Sequence, residues 1–264
     1  MLRFLFSRRW LGLLLVSVIV GAGCVELGLW QFHRHAEKQD SNRVTAANLE
    51  ADPVPVDDVM SKERPPSADD EWRGASMTGR YDDDHQMVVS YRTRDGAPGV
   101  DVVVPLRLAS GAAVLVDRGW MQTQGNGAED PDVPPPPSGE VTVTGWVRIN
   151  ADGEDDEVTP QDGSVRAVSS AGIAPTLPYE VYNGFLDLRE EKPASGDASA
   201  SSLELAEQPD LGSGPHFFYG VQWFFFAVLA FGFWCYFAWT EYRDQTRPAP
   251  APRRATPSGS DDWV

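Results

Sequence analysis

Two long apolar runs lie near the ends of the chain, with a polar region of alternating pattern between them. The first covers residues 10–30 (WLGLLLVSVIVGAGCVELGLW) and contains Glu26 as its one charge. The second covers 217–239 (FFYGVQWFFFAVLAFGFWCYFAW) and contains none. A helix needs roughly 20 apolar residues to cross a hydrocarbon core about 30 Å thick, and each run reaches that length. Both are expected to be transmembrane helices. Residues 31–51 hold neither Pro nor Gly, so the first helix is expected to continue beyond its apolar part and stop before Pro53.

Between the runs the period changes from helical to twofold. Residues 73–82, 86–94, 100–108, 112–121 and 141–149 alternate in the manner of half-buried strands, with Asp95–Gly99 and Ser110-Gly111 as turns. Weaker strand patterns cover 164–170 and 179–190, and Pro134–Pro137 favour an extended spacer. Residues 190–214 and the tail beyond 240 are rich in Ser, Ala, Pro and Gly and are expected to be a linker and a disordered end. The fold class expected is an α+β membrane protein, with two transmembrane helices flanking a β-rich domain, a small sandwich or open barrel. Its segments are 1–9, a first span 10–30, an outer domain 31–189, a linker 190–214, a second span 215–239 and a tail 240–264.

Charge orients this arrangement. Arg3, Arg8 and Arg9 precede the first span, and Arg243, Arg247, Arg253 and Arg254 follow the second. The excess of positive charge predicts a multi-pass protein of the cell membrane, with both termini cytoplasmic and the central domain extracytoplasmic. That domain is acidic, and the whole chain has a formal charge of −17, which excludes nucleic acid as a partner and leaves membrane lipid as the surrounding medium. "SRRWL" (7–11) partly resembles a twin-arginine signal and "GAGC" (21–24) a lipoprotein cleavage site; an uncleaved signal anchor explains more of the segment. The two cysteines, Cys24 and Cys235, sit at helical depths roughly 15 Å apart and are not expected to pair.

Candidate chemistry is sparse. No nucleophile elbow, P-loop, zinc-protease or dinucleotide motif occurs, so the chain is not expected to be an enzyme. The acidic groups at 82–84 and 154–157 lack the spacing of a calcium loop. His33 and His35, two apart on a helix, point to opposite sides and are not expected to chelate one ion. Glu26, Trp30, His33 and Glu37 instead follow a helical stripe. That stripe is either an interfacial anchor or a polar face turned toward a partner helix or ligand. In the second span 13 of 23 residues are aromatic, which suits lipid-facing bulk or a wall for a flat apolar cofactor. His216 opens this span and shares a helical face with Tyr219 and Trp223. A neutral imidazole among aromatics suits either a hydrogen-bonding anchor or an axial ligand of haem iron.

Three blocks in order resemble the surfeit-locus protein 1 family of cytochrome oxidase assembly factors. "LGLWQFHRHAEK" (27–38) carries Gly28, Trp30, Gln31, Arg34 and Lys38. "PGVDVVVPLRLASGAAVLVDRGWM" (98–121) carries Pro105, Leu106, Gly111, Val116, Arg118, Gly119 and Trp120. "PHFFYGVQWFFFA" (215–227) carries Pro215, His216, Tyr219, Gln222 and Trp223. Asp117 and Gly220 depart from the resemblance, standing where asparagine and alanine are common. The resemblance implies an assembly role in delivering haem a to the catalytic subunit of a haem–copper oxidase, with haem a synthase as a further candidate partner. It implies His216 as the haem iron ligand. Tyr219 and Trp223 on the same helix, and Glu26, Trp30 and His33 on the other, are then candidate cofactor-binding residues. The competing expectation is a membrane-tethered module that docks proteins without a cofactor.

Overall fold

The computed structural model describes residues 3–123, 131–195 and 202–246. Arg247, Arg253, Arg254 and the expected tail beyond 246 lie outside them. The chain forms two compact units. One combines Met1–Lys38 with Ser213–Val264, and the other is Gln39–Gly212.

The first unit is a pair of helices, each long and apolar enough to cross a membrane. Helix α1 (Arg8–Glu50) runs unbroken through the end of the apolar run, as the lack of Pro and Gly in 31–51 predicts. Its last twelve residues belong to the second unit. The other helix of the pair, residues 216–246, pairs with α1 antiparallel, since Trp10 meets Trp234 while Phe32 meets Phe217 and Phe224. Two glycines set the approach. A Cβ on Gly28 would lie 2.7 Å from the Phe224 ring, and a Cβ on Gly220 would lie 3.0 Å from the Phe32 ring. Each glycine is thus the notch for the other helix's phenylalanine, and the two rings stack at 5.9 Å. Between two apolar helices, small residues at the contact let the backbones and rings approach this closely. The outward faces are apolar: Ile19 is 61% exposed, Phe225 57% and Val228 68%.

The second unit is one eight-stranded sheet. In chain order its elements are β1 (Val54–Pro55), α2 (Val56–Val59), β2 (Gly74–Tyr81), β3 (Met87–Arg94), β4 (Ala97–Leu108) and β5 (Ala113–Gln122). There follow β6 (Val141–Arg148), α3 (Asp155–Val158), β7 (Ser164–Val165), α4 (Ser170–Ile173) and β8 (Val181–Pro193), and α5 (His216–Thr246) is the second long helix. Strand β2 pairs with β6 along its length and with β4 at its end, so β2, β6, β8, β5 and β4 form a closed ring. The expected sandwich or open barrel is therefore a closed one. Gly79 is the corner, facing both Val141 of β6 and Leu108 of β4. A Cβ there would come within 2.4 Å of the Arg107 carbonyl oxygen, so only glycine permits the closure.

Inside the ring, Val56, Met60, Leu106, Val114, Val116, Val141, Val143 and Leu186 form the main core. Strand β5 is buried along eight consecutive residues because it lies between β4 and β8 with packing on both faces. The β3–β4 turn is the pair Asp95-Gly96, both with positive φ, tighter than the five-residue turn expected. The expected linker also begins later than 190. Strand β8 continues to Pro193 by pairing with β6, and Glu204 bridges Trp120 while Leu203 packs on Val102 and Val104. Backbone pairing with β5 and β6 orders residues that composition alone marks as linker; positions 196–201 of that stretch lie outside the described residues.

Candidate functional site

The first unit brings His216 and Gln31 together. Gln31 lies one turn beyond Gly28 on α1, and the glycine notch draws α5 close enough for the two side chains to meet. His216 Nδ1 is 2.9 Å from Gln31 Oε1. The amide oxygen only accepts, so Nδ1 donates, and in the Nδ1–H tautomer the lone pair lies on Nε2. Among the described residues Nε2 has no hydrogen-bond partner. Gly214, with φ +65°, is beside this nitrogen, and a Cβ there would lie 3.8 Å from it. The ring is half-buried and is followed by Phe217, which packs edge-on against Phe32 and beside His35. His35 Nδ1 is buried without a hydrogen-bond partner.

The remaining sequence candidates are placed differently. Glu26, Trp30 and His33 are exposed on the side of α1 away from the glycine notch. Trp30 is 53% exposed. Glu37 of the same stripe pairs with Arg34 at 3.0 Å, not with a histidine. The face that meets α5 is instead Gly21, Cys24, Gly28, Gln31, Phe32 and His35. Tyr219 is exposed, and half-buried Trp223 packs edge-on against Phe226. The slot between the helices is filled by the stacked Phe32 and Phe224, so the aromatic surface open to a flat ligand is on the outside of the pair. Cys24 and Cys235 are both free.

In the sequence Gln31 stands only as one residue of the first matching block, with no role attached. The available signal was the small-residue spacing Gly21–Cys24–Gly28, which marks the packed face. Gln31 continues it.

The second unit holds a different polar cluster. A cavity of about 250 Å³ is lined by Arg92, Arg94, Asp101, Asp117, Arg148 and Asp187, among others. Arg92 Nε lies 2.8 Å from Asp101 Oδ2, and Arg148 bonds Asp187 and, at 3.2 Å, Glu71. Asp117 forms no salt bridge among the described residues, and Arg92 acts on it only at longer range. It accepts the Gly119 N–H at 2.9 Å. Burial, with Asp101 and Asp187 nearby, pushes its carboxyl well above the usual carboxylate range. Beside it, Arg118 is 1% exposed, bonds Glu191 and the Pro134 carbonyl at 3.2 Å each, and lies over the Tyr81 ring. The Tyr81 hydroxyl donates to Glu191, and burial raises the phenol well above its ordinary value. Apart from Asp117, these charges pair internally and hold strands together. A cavity of about 810 Å³ beside β3 and β7 offers hydroxyls and carboxylates such as Ser90, Ser164 and Asp156 but no histidine or cysteine. His85 is tied at 3.1 Å to Asp82, which also accepts from Tyr179. Among the described residues no group of three or more His, Cys, Asp or Glu side chains is arranged to hold a metal ion.

A closed β-barrel unit whose sequence lies between two long apolar helices, with one imidazole oriented at the helix pair, defines the class of protein: a barrel flanked in sequence by two helices long enough to cross a membrane. The chain belongs to the SURF1 family, whose model matches residues 18–228. It is 30% identical over 250 residues to an uncharacterized SURF1-like protein of Mycobacterium bovis, covering 93% of this chain and 89% of that protein. An uncharacterized SURF1-like protein of Mycobacterium tuberculosis matches to the same extent. A SURF1-like protein of Dictyostelium discoideum is 29% identical over 99 residues, 36% of this chain and 37% of that protein.

Proposed function

We propose that this protein is a membrane-bound assembly factor for a haem–copper oxidase that holds haem a on its way to the catalytic subunit. It acts without catalysing a reaction, in the cell membrane, with both termini cytoplasmic and the barrel outside. Haem a synthase and the oxidase subunit are its partners. The observation that carries the reading is the His216–Gln31 pair, which leaves Nε2 unpartnered beside a residue without a side chain. The donor chemistry fits haem, because a neutral imidazole is an ordinary axial ligand of its iron. His216 would hold the iron, and the apolar aromatics of α5 would shield the macrocycle from water. Bound there, haem supplies redox-active iron to the oxidase that receives it.

The test is the absorption spectrum of the full chain purified from haem-a-producing cells. The wild type is expected to be coloured and His216→Ala to be depleted. A colourless wild type that takes up no haem on titration would leave the cofactor-free docking module as the better reading.

A further inference from the structure

We infer that Gln31 is the positioning residue for His216: its side-chain oxygen fixes the imidazole as the Nδ1–H tautomer and turns Nε2 toward the iron. This inference rests on the haem reading above, but its first half concerns the protein alone. The geometry is a 2.9 Å contact between a side-chain acceptor on α1 and a ring nitrogen on α5. A histidine at a helix start has a freely turning ring unless something holds it. Here the glycine–phenylalanine notch one turn below fixes the spacing of the helices, and the Gln31 amide fixes the ring.

The choice of an amide also follows from the surroundings. A carboxylate would orient the ring equally well, but it would place a net charge next to an apolar helix pair, where an unpaired charge is costly. A neutral acceptor orients the imidazole without that cost. It also leaves the imidazole a weaker electron donor than a carboxylate partner would. Partners in this position on metal-bound histidines set the tautomer and ligand strength, and their loss typically weakens metal affinity about 10–100-fold. Gln31 and His216 thus form one unit from two parts of the chain 185 positions apart.

The experiment uses the full chain in detergent with 15N-labelled histidine, at a pH where imidazole is neutral. His216 is assigned by comparison with His216→Ala. In the haem-free wild type, Nε2 of His216 is expected to show the shift of an unprotonated nitrogen. Gln31→Leu is expected to move it toward the protonated value, and Gln31→Glu, which keeps an acceptor, to restore it. On titration with haem, Gln31→Leu is expected to bind about 10–100-fold more weakly. Gln31→Glu is expected to bind and to lower the reduction potential of the bound haem, an effect that a merely structural role would not produce. A protonated Nε2 in the wild type overturns the inference, even if Gln31→Leu fails to fold. So does a folded Gln31→Leu with unchanged nitrogen shifts. A wild type with the Nδ1–H tautomer that takes up no haem supports the Gln31 pin and overturns the haem reading.

Discussion

Asp117 shows how much one side chain can oppose the fold that contains it. The carboxyl is buried in the barrel near Asp101 and Asp187, and the Gly119 N–H and the more distant Arg92 charge offset this only in part. Its folded pKa is raised, so between the unfolded value near 4 and the folded value the folded chain keeps a proton that the unfolded chain has lost. Stability therefore falls as pH rises through that window. Asp117→Asn keeps the acceptor and removes the charge. The substitution is expected to raise the melting temperature at neutral pH and to flatten its decline between mildly acidic and neutral pH. A melting series across pH checks this, and a lower melting temperature for Asp117→Asn at neutral pH would count against it. Arg118 behaves oppositely. Its charge is paired with Glu191, so Arg118→Leu leaves a half-buried carboxylate without that cation and is expected to cost up to about 3–5 kcal/mol in unfolding free energy.

Elements here are joined through glycines, and each junction gives a graded expectation. In the helix pair, Gly220→Ala asks the Phe32 ring to give by a few tenths of an ångström, whereas Gly28→Val drives a branched side chain into Phe224. The first is expected to be mild. The second is expected to destabilise the pair by about 1–3 kcal/mol and to break the His216–Gln31 bond. Gly23→Ala, with open space around its Cβ, is the control. Reversible unfolding in detergent measures all three, and equal effects would show that the notch does not set the packing. In the barrel, Gly79→Ala meets the backbone of Arg107, which cannot rotate away as a side chain can. That change is expected to open the β2–β4 seam, seen as faster amide hydrogen exchange at Gly79–Tyr81 than in wild type.

At the scale of the whole molecule the expectation is topological. A reporter fused before residue 1 and one fused after residue 264 should lie on the same, cytoplasmic side. With Cys24 and Cys235 replaced by alanine, an exposed Gln208→Cys should react with a membrane-impermeant thiol reagent in intact cells. Labelling that requires lysis would reverse the assigned orientation.

The sequence alone determined what depends on local period and composition. Two uninterrupted apolar runs define two long helices, because length and hydropathy are properties of consecutive residues. Alternation located the main strands to within a few positions, because side chains of neighbouring residues take opposite faces of a sheet. The three matching blocks carried the family. Tertiary structure decided what depends on residues far apart in the chain. Barrel closure depends on Gly79 meeting Arg107, and the order of residues 202–204 on a backbone bridge to Trp120. Which side of α1 faces its partner was likewise not set by the polar stripe of Glu26, Trp30 and His33. The glycine notches decided it, since packing between apolar helices follows shape more than polarity, and they placed Gln31 against His216.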